Sequence, residues 1–474
     1  MKALRPLHPI VSRTHWSALI ALGFSVGCRS LPPTEVGWNP RLEAVIREHL
    51  AERRIPGASI GVVTEEGLQF QRAYGLADVQ NGVPAAPDSV YEIASLTKQF
   101  TAAAVLLLVD EGRLSLDDSI SEYVPEAPAA WGSITLRQLL QHTAGFPDET
   151  GQFASLQGRW LKHTPREVML AAARQDPLES PPGATFRYSS VDYFLAAIAI
   201  ESASGMSYRE FMRRRIFEPL GMTRTYLQDE RRITPREAHG YTLRGGELVN
   251  IWRDAQEEVA GGWGMFSCVP DLLRWDRAIR TGELLSPESW SAMFEEAELT
   301  NGERFRYGLG WWVPRRNGVP YQYHNGVTGT ELLRVPSLEL TVVVLTNLGQ
   351  DGSLRDNDAD PWGLADRIAQ VLHPEFEVRV EPIPLQPEQL EEYAGQWLFP
   401  DGLATTYVEA GQLRVRDPHG DDPLTPIGPD TFQLEGESTL LRFRRSTSGR
   451  INSCDWVGET WAEERGVRVA ASKH

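Results

Sequence analysis

Ser95 and Lys98 have the residue types and the spacing of a nucleophile and its base. They lie three positions apart in the segment Ser95-Leu96-Thr97-Lys98, and residues at i and i+3 share one face of a helix. A serine hydroxyl is a weak nucleophile until a neighbouring base takes its proton, which a desolvated lysine amine can do. The pattern predicts nucleophilic catalysis. The alternative is an ordinary serine followed one turn later by a solvated lysine.

The scarcity of lysine in the chain makes Lys98 a notable residue. Lysine and arginine together number 47, yet only four are lysines, at positions 2, 98, 162 and 473. Arginine keeps its proton in proteins, whereas a buried lysine can lose it. Lys98 lies in an apolar helical pattern that stops at Gly112, so it is a candidate for such a buried amine. Lys162 also lies inside the chain, without an evident role.

The sequence around Ser95 resembles that of a known superfamily. Residues 91–118, YEIASLTKQFTAAAVLLLVDEGRLSLDD, resemble the nucleophile region of class C β-lactamases, DD-peptidases and family VIII esterases. The segments ITLRQLLQHTAGF, FEPLGMTRT, AGGWGMFSCVPDLLRW and YGLGWWV are similar to the same superfamily. The resemblance covers about residues 40 to 375. It implies a β-lactamase or penicillin-binding-protein-like serine hydrolase that needs neither a metal nor an organic cofactor.

Tyr188 occupies the place of a second superfamily motif. The segment Tyr188-Ser189-Ser190 stands where the resemblance implies Y-x-N, with Tyr188 sharing the role of base with Lys98 and later protonating the leaving group. Ser190 replaces an asparagine that would hold the lysine and a substrate carbonyl. A serine hydroxyl can accept a hydrogen bond from Lys98 but offers no amide. This replacement weakens the expectation of amide and β-lactam recognition. The alternative for Tyr188 is a buried tyrosine bonded to backbone.

His324 begins a third motif. The segment His324-Asn325-Gly326 stands where the superfamily has K-T-G, or H-x-G in its esterase and peptidase branches. The resemblance implies a substrate-binding strand edge, with Gly326 allowing close backbone approach. It also implies an oxyanion hole made by the backbone N–H groups of Ser95 and Val327. Since histidine lacks a fixed charge near neutral pH, His324 favours esters or short peptides over β-lactams.

Other residues near these motifs have predicted structural roles. We expect His142 to close a helix rather than to take part in catalysis. Gly261, Gly262, Trp263 and Phe266 are expected either to line the cleft or to pack in the core.

The elements that must position these residues follow from hydrophobic periodicity. A largely helical middle separates two groups of strands, and the predicted elements are helices at 41–54, 95–111, 134–141, 165–174, 193–204 and 362–372, and strands at 58–63, 68–74, 321–324, 331–335 and 340–346. Strands at both ends with helices between predict an α/β fold with an inserted helical lobe and a groove between lobe and sheet. The resemblance implies an antiparallel sheet of the β-lactamase/transpeptidase type.

The C-terminal part has a different sequence pattern. From about residue 387, short alternating segments such as 405–408, 412–415, 431–434 and 440–444 lie between Gly, Pro and Asp clusters, which predicts a small all-β barrel or meander. Its opening, PEQLEEYAGQW, is similar to the lipocalin-like β domain that follows many such hydrolases. The predicted domains are a signal peptide at 1–28, a linker at 29–40, the hydrolase domain at 41–378 and the β domain at 387–474.

The N-terminus has the pattern of an export signal. Basic residues precede an apolar stretch at 16–27, which is too short to span a bilayer. Gly27-Cys28 resembles a bacterial lipoprotein processing site, although Ser25 stands where leucine is usual, so Cys28 is a predicted lipidation site in a periplasmic or cell-envelope protein. Ordinary cleavage nearby and an uncleaved anchor are the alternatives. The sequence does not indicate whether Cys268 and Cys454 pair.

Composition limits the class of partner. The net charge is −17 and the pI is near 5.2, with no run rich in lysine or arginine. Nucleic acid and anionic lipid surfaces need a basic face, so neither is expected as the main partner. A small-molecule ester, peptide or β-lactam-like substrate is expected, with membrane anchoring through the lipidated N-terminus.

These observations predict a serine hydrolase that forms an acyl-enzyme on ester or amide bonds, of esterase or peptidase type. Two alternatives remain open. One is a DD-carboxypeptidase or β-lactamase acting on peptidoglycan peptides or β-lactams. The other is a non-catalytic, penicillin-receptor-like binding module, against which the presence of Ser95, Lys98 and Tyr188 argues.

Overall fold

The structure, a computed structural model, covers most of the chain after residue 38. The described residues are 39–125, 127–147, 166–175, 177–229, 231–251, 261–350, 359–377, 382–399, 402–417, 421–434, 439–446, 448–457 and 464–469. The predicted signal peptide, Cys28 and most of the predicted linker lie outside them. Within the described ranges, no helix is both long enough and apolar enough to cross a membrane.

The helices lie mainly in the first three quarters of the chain. Their bounds are α1 Pro40–Glu52, α2 Thr97–Asp110, α3 Leu136–Leu140, α4 Arg166–Gln175, α5 Ser190–Ser204, α6 Tyr208–Met212, α7 Val269–Thr281, α8 Pro287–Met293, α9 Leu364–Leu372 and α10 Pro387–Leu390. Local chemistry fixes several of their starts. The Asn39 side chain accepts the Arg41 N–H at the start of α1, and a reciprocal capping box joins Thr135 and Gln138 at the start of α3.

The strands form one main sheet, several small sheets and a barrel. Their bounds are β1 Gly57–Thr64, β2 Gly67–Asp78, β3 Val83–Pro84, β4 Tyr91–Glu92, β5 Tyr226–Leu227, β6 Tyr241–Arg244, β7 Glu247–Asn250, β8 Met265–Ser267, β9 Ala297–Glu298, β10 Arg304–Phe305, β11 Arg315–Arg316, β12 Val319–Pro320, β13 Gln322–Gly326, β14 Thr330–Val335, β15 Leu340–Thr346, β16 Gly395–Phe399, β17 Gly402–Glu409, β18 Gln412–Arg416, β19 Asp421–Gly428, β20 Thr431–Leu434, β21 Leu440–Arg445, β22 Ile451–Val457 and β23 Glu464–Arg468.

The main sheet joins distant parts of the chain. Its six strands are antiparallel in the order β13-β14-β15-β1-β2-β3. β1 pairs with β15 in the register Ile60↔Val344. Side chains alternate across β15, so Val342 and Val344 pack with α1 and α9 while Val343 and Leu345 pack with the helical lobe. Both faces are covered, and β13 lies at the edge of the sheet.

The helical lobe is built around α2 and α5. Every residue of α2 from Thr97 to Leu108 is buried, and so is every residue of α5 from Ser190 to Ile200. A helix that is apolar around its whole circumference must be surrounded by protein. These two helices therefore form the centre of the lobe. They also fix the positions of the residues at their N-terminal ends.

The C-terminal strands close into a barrel. Strands β16 to β23 follow one another as antiparallel neighbours, and β16 also pairs with β23 through Leu398↔Val467. Large apolar side chains fill the interior, among them Trp397, Leu413, Leu424, Phe432 and Phe443. This interior is packed in the manner of a small closed barrel. The sequence prediction of a barrel-like domain is confirmed.

The predicted fold class is confirmed in its architecture, with two local corrections. The predicted helix at 95–111 begins later, since residues Ala94–Leu96 form a 3-10 turn and α2 starts at Thr97. The middle of the chain also contains a hairpin, β6–β7, around two glycines with positive φ at Gly245 and Gly246.

Cys268 and Cys454 are both buried free thiols, so they are not joined to each other.

Candidate active site

Ser95 lies on a tight turn at the start of α2. The turn is fixed by the Leu96 N–H, which donates to the Ile93 carbonyl at 3.0 Å. Ala94 has a φ of +42°, a left-handed conformation that is uncommon outside glycine. This strained residue directly precedes Ser95, and strain of this kind concentrates at functional sites. The turn leaves Ser95 half-buried while its neighbours Ala94 and Leu96 are buried.

Lys98 reaches Ser95 from one turn further along. Its Nζ lies 3.1 Å from Ser95 Oγ and donates to the Gly262 carbonyl at 3.0 Å. The side chain is fully buried, with 0% of its surface exposed. A Cβ at position 262 would lie 3.4 Å from the amine, at ordinary van der Waals distance. The sequence-predicted pair is therefore brought together in a site where the charged form of an amine is poorly solvated.

Tyr188 lies above the amine. Lys98 Nζ is 4.6 Å from the centroid of its ring. The phenol ring is also parallel to Trp312, with centroids 6.4 Å apart and an interplanar angle of 6°. Ser190, the other predicted residue of this motif, is buried at the first position of α5. The three residues proposed to handle the proton, Ser95, Lys98 and Tyr188, thus come from a turn, a helix and a loop.

His324 lies on the edge strand β13 and is uncharged. Its Nδ1–H donates to the Asn325 carbonyl at 2.8 Å, and the Tyr307 hydroxyl donates to its Nε2 at 3.1 Å. Burial and the nearby Lys98 charge lower the pKa of His324 to about 3. Its ring centroid is 6.2 Å from that of Tyr188. At neutral pH this position presents a neutral imidazole beside the site.

Gly326 allows β13 to approach the nucleophile turn. A Cβ at this position would lie 2.4 Å from Thr330 Oγ1 and 2.6 Å from the Ile93 carbonyl oxygen. Only glycine fits such a close backbone contact. Val327 follows directly and is 42% exposed.

His142 and Asp192 form a buried pair behind Tyr188. Nδ1 of His142 is 2.7 Å from Asp192 Oδ2, and both side chains are almost fully buried. The imidazole centroid lies 4.3 Å from that of Tyr188. Burial and the charge of Lys98 lower the pKa of His142 well below its usual value, while burial raises the pKa of Asp192 well above its own. Sequence reasoning gave His142 a structural role and did not single out Asp192.

The glycine-aromatic segment has mixed roles. The carbonyl of Gly262 accepts from Lys98, and that of Gly261 accepts from Thr101 Oγ1 at 2.5 Å. Phe266 instead stacks on Tyr226, with centroids 5.4 Å apart, in a separate apolar cluster. The backbone of this segment therefore belongs to the site, whereas Phe266 packs in the core.

A second serine pattern occurs within β1. Residues 57–61 read Gly-Ala-Ser-Ile-Gly, which matches the G-x-S-x-G pattern of α/β-hydrolase nucleophiles. Ser59 lies in the middle of a buried strand and is 0% exposed. Its hydroxyl donates to the Ala86 carbonyl at 2.8 Å and lies 2.9 Å from the Tyr91 hydroxyl. Ser59 is a satisfied core residue, since a nucleophile elbow would expose it on a sharp strand-to-helix turn.

The fold and the motifs together define a class of protein. The chain belongs to the beta-lactamase family, whose model matches residues 42–366. It is 28% identical over 453 residues to penicillin-binding protein 4* of Bacillus subtilis (strain 168), covering 86% of this chain and 94% of that protein.

Solved structures show the same similarity across nearly the whole chain. A penicillin-binding protein homologue from Pyrococcus abyssi, described as octameric, has a TM-score of 0.64 and 27% identity, covering 90% of this chain and 99% of that one. SurE, solved with D-Leu, has a TM-score of 0.58 and 25% identity, with 90% and 99% coverage. Both similarities extend beyond the region that the family model matches.

Proposed function

We propose that this protein is a serine hydrolase that cleaves ester or amide bonds through an acyl-enzyme on Ser95. The observation that carries the proposal is the 3.1 Å separation between Lys98 Nζ and Ser95 Oγ, with the lysine wholly buried. A buried lysine amine within hydrogen-bond distance of a serine hydroxyl is placed to take the proton of that hydroxyl. The family membership of the chain supports the same chemistry.

The proposed reaction begins when Ser95 loses its proton to the Lys98 and Tyr188 pair and attacks the substrate carbonyl. The tetrahedral oxyanion is held by the backbone N–H groups of Ser95 and Val327. Tyr188 passes the proton to the leaving group. Water then attacks the acyl-enzyme and gives up a proton to the Lys98 and Tyr188 pair; the bond between the acyl group and Ser95 Oγ breaks, the acid leaves, and the pair returns the proton to Ser95. The close contact of Gly326 with the backbone before Ser95 supports this arrangement, because it holds β13 against the nucleophile turn.

Two replacements favour uncharged substrates. His324 is neutral at physiological pH because its pKa is lowered to about 3, so it offers no fixed cation for a carboxylate. Ser190 has a shorter side chain than asparagine and no amide donor. We therefore propose short-chain esters and short peptides as better substrates than penicillins or cephalosporins. Peptidoglycan peptides that end in D-alanine carry a carboxylate, as penicillins and cephalosporins do, and are the alternative substrates.

A second candidate is hydrolysis of D-amino-acid amides or peptides. The solved structure of SurE with D-Leu, similar over 90% of this chain, supports it. Such an activity would use the same acyl-enzyme, so the two candidates differ in the acyl group and not in the machinery.

A substrate panel tests the proposal. Initial rates are measured on activated acetyl and butyryl esters, D- and L-amino-acid amides, a D-Ala-D-Ala peptide and a cephalosporin. Ser95→Ala serves as the inactive variant and Ser291→Ala, an exposed helix position, as its matched control. Ester turnover that Ser95→Ala abolishes and Ser291→Ala preserves is expected. Efficient cephalosporin turnover without ester turnover would reject the preference. Binding of cell-wall peptides with no turnover of any substrate would favour a non-catalytic module.

We also propose that the hydrolase domain spans 41–378 and the β domain spans 387–474. Separate apolar clusters support this division, because the clusters of the sheet and lobe end at Phe376 and that of the barrel starts at Leu390. Limited proteolysis should cut first between residues 378 and 387. An initial cut inside either proposed domain would contradict the boundary.

A further inference from the structure

His142 holds the loop of Tyr188 from both sides. The Arg187 N–H donates to the His142 carbonyl at 2.8 Å, and the Ser189 N–H donates to His142 Nδ1 at 3.2 Å. The N–H groups of the two residues that flank Tyr188 are thus tied to one buried residue, whose ring lies 4.3 Å from the phenol ring, centroid to centroid. His142 adopts a left-handed φ of +57° to make these contacts.

The hydrogen bonds on Nδ1 define where the protons lie. A backbone N–H can only donate, so a nitrogen that accepts from Ser189 carries no proton and presents its one lone pair. Asp192 Oδ2 lies 2.7 Å from that same nitrogen. A hydrogen bond to an unprotonated nitrogen requires the carboxyl group to supply the hydrogen. Both contacts are hydrogen bonds only if the lone pair of Nδ1 is shared between the Ser189 N–H and the Asp192 O–H, which places one proton on Asp192 and one on His142 Nε2. A Nδ1–H that donated to an ionised Asp192 would instead leave the buried Ser189 N–H without this acceptor.

The surroundings of the pair favour the neutral state. Burial raises the pKa of the Asp192 carboxyl well above its usual value, and burial together with the charge of Lys98 lowers the pKa of His142. Among the described residues, His142 Nε2 and Asp192 Oδ1 have no hydrogen-bond partner. Leaving these two atoms unpaired would cost far more free energy if the groups were charged. The titratable groups that face the pair are Lys98 on α2, Tyr188 before α5, Tyr193 on α5, Tyr307 and His324.

We propose that His142 and Asp192 are positioning residues that act as one neutral unit: His142 fixes Tyr188 over Lys98, and Asp192, as a carboxylic acid, fixes the tautomer of His142. The inference rests on the proposed function, in which Tyr188 handles the proton. A neutral pair adds no negative charge beside Lys98, so it orders the site without favouring the ammonium form of the lysine. An ionised Asp192 would do the opposite.

Spectroscopy on the full chain tests the protonation states without any substrate. Difference infrared spectra between the wild type and Asp192→Asn should show the carbonyl stretch of a protonated carboxylic acid at neutral pH. Nitrogen NMR of labelled histidine, assigned with His142→Asn, should show an unprotonated Nδ1. A carboxylate band for Asp192, or a protonated Nδ1, would overturn the proposal.

Kinetics test the positioning role with a conservative pair of variants. His142→Phe keeps a ring but loses the acceptor for the Ser189 N–H, and should lower kcat by about 10- to 100-fold with little change in KM. His142→Asn keeps an acceptor near the place of Nδ1 and tolerates the left-handed backbone, so it should recover most of the loss. Equal activity of the two variants, or loss confined to KM, would contradict the role.

The pH profile separates a neutral Asp192 from an anionic one. Asp192→Asn leaves the charge of a neutral acid unchanged, so the acid limb of the kcat/KM profile should keep its position. Removal of an anion close to Lys98 would move that limb to lower pH by about one to three units, and such a shift would overturn the proposal.

If no substrate is turned over, the proposed function fails while the spectra still test the pair. Turnover that is insensitive to His142→Phe refutes the positioning role alone.

Discussion

Lys98 is a buried residue with contacts inside the candidate site, in contrast to a solvated surface lysine. It is fully buried, it bonds to Ser95 Oγ and to the Gly262 carbonyl, and its amine lies against the ring of Tyr188. Burial of a long cationic side chain carries a large desolvation cost. Because burial of Lys98 carries this desolvation cost, a chemical role explains the residue better than a contribution to stability.

Removal of this amine should abolish most of the activity while leaving the fold intact. Lys98→Met keeps the length and apolar stem of the side chain, and Lys98→Arg keeps a cation that cannot accept a proton. Both variants should lower kcat/KM on an activated ester by about 10²- to 10⁴-fold. Lys473→Met makes the same change at another lysine and serves as the control. Retention of more than about a tenth of the activity in Lys98→Met would argue that Tyr188 alone is sufficient.

Gly326 offers a residue-scale test of the geometry. Gly326→Ala places a methyl group 2.4 Å from Thr330 Oγ1 and 2.6 Å from the Ile93 carbonyl oxygen. The strand must then move away from the Ser95 turn, so the melting temperature and kcat should both fall, with a loss of about 1–3 kcal/mol in the free energy of unfolding. Gly132→Ala, where a Cβ would meet no atom within 4 Å, is the matched control. Equal melting temperatures for the two variants would disprove the close contact.

The sequence identified site residues that lie close together in the chain better than contacts between residues that lie far apart in it. Ser95 and Lys98 could be recognised because they lie three positions apart. His142 and Asp192 are 50 positions apart, and each is an ordinary residue in its own segment. Their contact arises from the packing of α3 against α5, which no local pattern predicts.

At the scale of elements, Glu331 ties β14, the neighbour of the edge strand β13, to α9. Its carboxylate on β14 accepts the N–H groups of Gly363, Leu364 and Ala365 at 2.9, 3.1 and 3.2 Å, at the N-terminus of the helix. The preceding Trp362 donates from Nε1 to the Gly326 carbonyl at 3.0 Å. Burial raises the pKa of Glu331 to about 7 in spite of these donors.

This raised pKa predicts a pH-dependent stability. The folded value of about 7 exceeds the ordinary 4.5, so the folded state binds the proton more tightly. The stabilising contribution is therefore greatest below pH 4.5 and is lost as the pH rises to about 7. The free energy of unfolding of the wild type, relative to Glu331→Gln, should fall by about 3 kcal/mol over this range. Urea unfolding at several pH values measures it, with the exposed Glu339→Gln as control. Parallel curves for wild type and Glu331→Gln would contradict the prediction.

The elements were predictable where periodicity was strong. The observed bounds of α1, β14 and β15 follow the sequence pattern within two residues at each end. The turn that carries Ser95 could not be predicted, because an alanine such as Ala94 gives no local signal for a positive φ. The β6–β7 hairpin did have a local signal, since Gly245-Gly246 separates two alternating segments, and it was overlooked.

For the whole molecule, we propose export with a lipid anchor on Cys28. The motivation is the basic and apolar N-terminal sequence that ends at Gly27-Cys28. In a bacterial host, the wild type should incorporate a fatty-acid label and sediment with membranes. Cys28→Ser should lose both properties, while Ser30→Ala should keep them. A wild-type protein that is cleaved elsewhere and carries no label would refute the anchor.

The most direct test of the central claim is the mass of the protein after brief exposure to an activated short-chain ester. A hydroxyl activated by Lys98 should take up the acyl group, so intact mass spectrometry should show an adduct of one acyl group. Peptide mapping should place that group on Ser95, and Ser95→Ala should show no adduct. The same experiment with a penicillin should give a slower or smaller adduct. A stable acyl group on any other residue, or ester hydrolysis that persists in Ser95→Ala, would contradict the account.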